Sequence, residues 1–211
     1  MRPLLSLVLL FAALPLAGAQ SVSVTGRIEA LGAPEPCAPG ATHRIQETSV
    51  HLRSSSVDLN GVFGNRTFTG IDVSGSCPLI EVQSVANAKF SLSVCNHPGI
   101  GCSVTLDMCP APTPATVLLF VSGQTGYLPV DASTGSLLLG PPLFSLASVG
   151  STAVCQSLPI TLNVPGALVG LDVFFQGASL PPSYPAAPAL FSSLAKMTIQ
   201  PPGGCTNFAC F

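Results

Sequence analysis

The stretch LNGVFGNRTFTGIDVSGSCPLIEVQSV, Leu59–Val85, decides how the first part of this chain is read. Its glycines at Gly61, Gly64, Gly70 and Gly75 punctuate short apolar runs. Glycine has no Cβ, so inside strands it marks bulges, sharp bends and close backbone approach. The pattern predicts tight, curled β-structure. Nothing in the stretch itself demands a ligand.

The same texture continues outward. Strand signals recur about every ten residues, separated by Gly, Pro, Ser and Asn clusters, which predicts an all-β protein. In KFSLSVC (89–95), Phe90, Leu92 and Val94 share one face and Ser91 and Ser93 the other. CSVTLDMC (102–109) sets Val104, Leu106 and Met108 against Ser103, Thr105 and Asp107. PITLNV (159–164) sets Ile160, Leu162 and Val164 against Thr161 and Asn163. Alternation with period two belongs to strands with one buried face. By contrast ATVLLFVSG (115–123) is apolar from Val117 to Val121, as in a strand covered on both sides. The runs at 89–95 and 102–109 form a hairpin whose faces match if Val94 meets Val104 and Leu92 meets Leu106. That register brings Cys95 and Cys102 to the mouth of the loop.

The chain divides near Asn87, just before this hairpin. Residues 20–87 make a small barrel-like unit, and residues 88–211 are long enough for an antiparallel β-sandwich. Ahead of both, MRPLLSLVLLFAALPLAGAQ has a basic Arg2, an apolar run from Leu4 to Leu16 and an Ala17-Gly18-Ala19 end. This is the layout of a secretory signal peptide, residues 1–19, with a mature chain from Gln20. The run is shorter than the roughly 20 residues of a transmembrane helix, so no membrane insertion is expected after its removal.

The expected localisation is therefore secreted, whether extracellular, periplasmic or surface-associated. All eight cysteines, Cys37, Cys77, Cys95, Cys102, Cys109, Cys155, Cys205 and Cys210, follow the cleavage site. An even number in an exported chain reads as disulfides, with connectivity left open. A Cys37–Cys77 bridge would close a loop of about 40 residues and contribute roughly 3–5 kcal/mol to a first unit too small to be stable unaided. The closing CTNFAC, Cys205 to Cys210, reads as a tail clipped to itself. Cys95, His97, Cys102 and Cys109 also offer metal ligands, but their wide spacing lacks the close knuckles of structural zinc sites. No metal and no cofactor is expected.

Charged residues make up 8% of the chain, 47% is apolar and the net charge is −2. That apolar content supports a packed core. Two lysines, Lys89 and Lys196, do not make the basic surface that a nucleic acid requires, so no nucleic-acid partner is expected.

In the first unit, a strand with an early Gly26, strands around Ile45 and Val50–Leu52, a Gly64-to-Gly70 strand and a final Ile80-Glu81-Val82 strand follow one another. This order resembles a small OB-fold, a five-stranded barrel, with Gly26 and Gly70 where strands bend sharply. The whole chain has HRI (43–45), SVHLRSS (49–55), VDL (57–59), GNRTFTG (64–70), CPLIEV (77–82) and a closing LPITLNVPGALVGLDVFFQGASLPPS (158–183). It is similar to a group of uncharacterised exported bacterial proteins. That resemblance implies architecture and export, and no catalytic residues.

Candidate sites are few. There is no G-x-S-x-G elbow and no H-E-x-x-H, and His43, His51 and His97 have no partner set by spacing. The chain is read as not an enzyme. His51 and Arg53 alternate with Val50 and Leu52, so both are expected on the solvent face of one strand. On an OB barrel such a face binds oligosaccharide or oligonucleotide, so His51, Arg53 and Arg66 are the ligand-binding candidates. The chain has no Trp and two Tyr, Tyr127 and Tyr184, so stacking platforms are scarce. Asn65-Arg66-Thr67 matches a glycosylation acceptor, expected unused in a bacterial host. Phe174 and Phe175 face opposite sides of a strand: one in the core, the other covered by a loop or presented to another chain. Low charge then favours self-association.

The reading that follows is a secreted or cell-surface, non-enzymatic structural or adhesion module. Its partners would be another copy, an extracellular protein or a carbohydrate. The alternative is a carbohydrate-binding module using the barrel face.

Overall fold

The structure, a computed structural model, describes residues 20–97, 103–109, 114–150, 155–161, 168–201 and 206–207. Residues 1–19, read above as a signal peptide, the stretch 162–164, and Cys102, Cys205 and Cys210 lie outside the described residues. The described chain is all-β, in several sheets.

The first unit comprises β1 (Ser21–Gly26), β2 (Ile28–Ala30), β3 (His43–Ile45), β4 (His51–Arg53), β5 (Arg66–Asp72) and β6 (Leu79–Asn87). They form one sheet in the order β1-β5-β6-β4-β3-β2. Every pairing is antiparallel except β4 with β6. The two ends of this order, β1 and β2, are one strand interrupted at Arg27, so the sheet's edges are joined covalently. The chain bends there because Gly26 packs on Ile45, where an added Cβ would lie 2.8 Å from Ile45 Cγ2. Gly70 sits where the β5–β6 register shifts, and a Cβ on it would fall 2.1 Å from the Glu81 carbonyl oxygen. Val22, Val24, Ile45, Leu52, Phe68 and Ile80 fill the interior. The Cys37–Cys77 disulfide, 40 residues apart in sequence, ties the β2–β3 loop to the β5–β6 loop.

The second part opens with β7 (Ser91–Val94), β8 (Asn96–His97), β9 (Ser103–Cys109) and β10 (Thr116–Ser122). Then come β11 (Thr125–Asp131), β12 (Gly135–Leu139), β13 (Phe144–Gly150) and β14 (Gln156–Thr161). It ends with β15 (Asp172–Leu180), β16 (Leu190–Phe191), β17 (Ala195–Thr198) and β18 (Thr206–Asn207). One sheet runs β14-β9-β7; the other runs β13-β10-β15, with β16 and β17 both on β15. Leu92, Leu106 and Met108 from the first meet Val117, Leu119, Phe175 and Met197 from the second in a common core. This is the antiparallel sandwich expected from the alternating runs. The short β8 pairs with β18.

The β7–β9 hairpin has a different register from the one expected. Val94 lies opposite Leu106 and Leu92 opposite Met108, a shift of two residues. A shift of two keeps every apolar side chain on its face, so face-matching alone does not distinguish the two registers. Cys109 bonds to Cys155, a pairing that the sequence left open. Cys95 is also disulfide-bonded, with its partner beyond the described residues. In β10 Val117 and Leu119 are buried on one face; on the other, Leu118 is half-buried and Phe120 packs on Leu137, Leu139 and Phe174, so both faces are covered, the second only in part.

The strands β10 and β13 pair with each other, yet β11 and β12 come between them in the chain. This excursion leaves the sandwich and lies against β1. Ser136 Oγ donates to the Ser23 carbonyl at 2.6 Å, Gln20 Nε2 donates to the Val130 carbonyl at 2.7 Å, and Leu138 enters the first core. On its other side Leu137 and Leu139 pack on Phe174, which is 9% exposed. Phe174 is therefore covered by this hairpin and is not a contact for another chain. Among the described residues, no helix is long and apolar enough to cross a membrane.

Candidate functional site

The β3–β4 hairpin builds the site. Its turn closes by Thr48 N–H to the Ile45 carbonyl (3.2 Å), reinforced by Thr48 Oγ1 donating to that carbonyl and accepting from Val50 N–H. Glu47 takes a left-handed φ of 62° within this turn, which is uncommon for a residue with a side chain. Its carboxylate accepts from Lys196 Nζ at 2.9 Å, fastening the turn to β17. Lys196 also pairs with Asp172 at 3.0 Å, and these bonds, to Glu47 first, hold the ammonium above its ordinary pKa.

In the hairpin register Arg44 faces His51 and His43 faces Leu52. Ile45, Val50 and Leu52 turn inward, so Arg44, His51 and Arg53 share the outer face. His51 is nevertheless only 5% exposed, which corrects the expectation of a solvated ring. The buried Leu79 stands beside it in register on β6, and Glu35 and Thr125 line the same cleft from a loop and from the excursion. His51 Nδ1 has no hydrogen-bond partner in the described structure.

The cleft in front of His51 has a volume of about 450 Å³ and is walled by Glu29, Glu35, Arg44, Glu47 and Thr125. A second cleft of about 460 Å³ shares Glu29, Glu35 and Arg44 with it and continues along Ala30–Pro34. The Arg44–Glu29 ion pair stands in the walls of both clefts. Glu35 makes no ion pair among the described residues. Glu29 is paired with Arg44 and Glu47 with Lys196, so Glu35 leaves the cleft one uncompensated negative charge, which disfavours an anion and leaves hydrogen-bonding groups for a neutral or cationic ligand.

Of the residues expected from the sequence, only His51 lines this groove. Arg53 is committed elsewhere: Nε donates to Glu81 at 2.6 Å and Nη1 to the Pro39 carbonyl at 3.0 Å. The Arg53 bond, with smaller help from Ser55, holds the Glu81 carboxyl below its ordinary pKa. Arg66 starts β5 opposite Gly26 and is bonded to Asn87. Ile71, the β5 residue level with Glu81, is five positions further along, or about 17 Å of strand. The structure does not bring Arg66 to the other two. His43 turns inward, with Nδ1 2.9 Å from Thr42 Oγ1, and burial lowers its pKa despite the opposing charge of Asp58.

The set Cys95, His97, Cys102 and Cys109 does not assemble as thiolate ligands, since Cys95 and Cys109 are in disulfides. Among the described residues, no group of three or more His, Cys, Asp or Glu is placed to hold a metal ion. Glu29 and Arg44 are cross-strand neighbours, legible from alternation once the register is known. Glu35 and Thr125 arrive from distant parts of the chain and carry no local signal. Comparison with protein-family models, curated proteins and solved structures found no match to this chain.

Proposed function

We propose that the protein is an exported, non-enzymatic binding module that takes a polyhydroxyl ligand of the carbohydrate class in the groove at His51. The first unit is read as an OB-like barrel, supported by its pairing order of bent strand, β3, β4, β6, β5 and bent strand again. In that fold the outer face of the second and third strands is a binding surface, here β3 and β4. The observation that carries the reading is His51: a nearly buried imidazole with an unpartnered nitrogen, in the wall of a groove that also holds Glu35. An unsatisfied buried polar atom costs about 1–3 kcal/mol, a cost found at sites where function requires it. An imidazole and a carboxylate in the walls of one cleft suit hydroxyls, which both donate and accept.

The test is a glycan array followed by calorimetry on the disulfide-intact protein and two variants, His51→Leu and Glu35→Gln. Binding to one class of glycan, weakened at least tenfold by either substitution, supports the reading. His51→Leu should leave thermal stability unchanged or raised, because it removes an unpaired buried polar atom. A protein that binds no glycan, or binds equally well as His51→Leu and Glu35→Gln, would sink the proposal.

A structural or adhesion role is the second reading. What favours it is the interlocking of the two parts through the β11–β12 excursion and the Glu47–Lys196 bridge.

A further inference from the structure

The face of β1 and β5 turned away from the first core is polar, yet part of it is shut in. Val22, Val24 and Phe68 point into that core, so Ser23 and Thr25 on β1 and Thr67 and Thr69 on β5 share the opposite face. In register, Ser23 stands opposite Thr69 and Thr25 opposite Thr67, which sets four hydroxyls in a square. Such a face is ordinarily wet, but Ser23 is 3% exposed and Thr25 8%. The turn of the excursion, Ala132–Gly135, stands around them together with Phe90 and Phe191. These segments enclose a pocket of about 180 Å³ whose floor is the hydroxyl square.

The walls are fixed by their own bonds. Asp131 accepts from the N–H and the hydroxyl of both Ser133 and Thr134, which sets the turn. Phe191 N–H donates to the Thr134 carbonyl at 3.0 Å and pins β16 to that turn. Phe90 packs on Gly177, where an added Cβ would lie 2.7 Å from its Cζ.

The lining is rich in donors. Thr25 and Thr67 bond each other at 2.9 Å, whereas Ser23 Oγ and Thr69 Oγ1 have no hydrogen bond among the described residues. Asn87 Oδ1 accepts from Arg66, which leaves its NH2 to donate. Lys89 lines the pocket, is exposed, and makes no ion pair among the described residues. Among the described residues, no carboxylate lines the pocket.

We infer that this pocket binds a small hydroxylated carboxylate, a sugar acid of about one ring. Its volume falls below the roughly 300–1,000 Å³ of sites for drug-sized ligands, so the occupant is small. Lys89 pairs with the carboxylate through a charge-assisted hydrogen bond. Ser23, Thr69 and Asn87 meet the ligand's hydroxyls, and Phe90 and Phe191 cover its carbon skeleton. The pocket lies on β1 and β5, apart from the cleft at His51, and does not rest on that cleft's reading.

Calorimetric titration of the disulfide-intact protein with galacturonate, glucuronate and gluconate tests this, with glucose and acetate as controls. At least one of the acids should bind with a Kd below about 1 mM, and glucose and acetate at least tenfold more weakly. Lys89→Gln and Thr69→Val should each weaken that binding at least tenfold. Both should leave the melting temperature unchanged, since neither side chain has a hydrogen-bond partner among the described residues. No binding of any acid at roughly 10 mM would overturn the inference. So would glucose or acetate binding as tightly as the acid, or binding indifferent to both substitutions. An acid lost in His51→Leu but kept in Lys89→Gln would also overturn it, because the ligand would then sit in the other cleft.

Discussion

Gln176 is wholly buried on β15, and its side-chain amide ties three segments together. Nε2 donates to the Ser136 and Ser192 carbonyls at 3.0 Å each, and Oε1 accepts from the Leu138 N–H at 2.7 Å. Gln176→Leu strips partners from all three, so it should cost about 3 kcal/mol in urea unfolding, more than a same-size core change. His43 sets a pH dependence of opposite origin, an unfavourable charge. Burial lowers its folded-state pKa, so the unfolded chain binds the proton more readily. The contribution is fully present above about pH 6.5 and is lost as pH falls through the lowered folded value. Stability should therefore decline on acidification below neutrality, and His43→Gln should flatten that decline. An unchanged slope in the variant would show that another group is responsible. Neither role was legible beforehand: a glutamine in LDVFFQG and a histidine in HRI look like ordinary strand residues until their neighbours are known.

At the scale of elements, glycine spacing was the most informative signal. Gly70 allows β5 and β6 to touch backbone to backbone where their register shifts. Gly70→Ala should destabilise by about 2–4 kcal/mol, since backbone atoms cannot yield as a flexible side chain can. Gly61→Ala, with nothing within 4 Å of its Cβ, should change stability by less than about 0.5 kcal/mol. Paired chemical denaturation of the two variants measures the contrast. Alternation assigned the inward faces of β9 correctly, because face is a local property of a pleated strand. Register was not local. The two-residue shift between β7 and β9 preserves both faces, so the choice is made by packing against the opposite sheet.

Across the whole molecule, long-range links decide stability. Cys37–Cys77 and Cys109–Cys155 close loops of 40 and 46 residues. Replacing Cys37 and Cys77 by Ser should remove about 4 kcal/mol on the chain-entropy model. Because the excursion buries Leu138 in the same core, the loss should appear as a lower melting temperature with the sandwich still attached. Calorimetry showing two separate transitions in the wild type would contradict that coupling.

Composition, cysteine parity and period-two patterning were enough, from the sequence alone, for the all-β class, a glycine-bent first sheet and an antiparallel sandwich, whereas which cysteines pair stayed open. Each follows from chemistry within a few residues or from a simple count. Tertiary structure alone decided that His51 is walled in while Arg53 and Arg66 are engaged elsewhere. It alone covered Phe174 and left Phe144 bare. The physical reason is shared: exposure and partnership depend on other segments of the chain, such as Glu81 for Arg53, Leu137 for Phe174 and Thr125 in the cleft at His51. No local pattern encodes which distant loop will arrive.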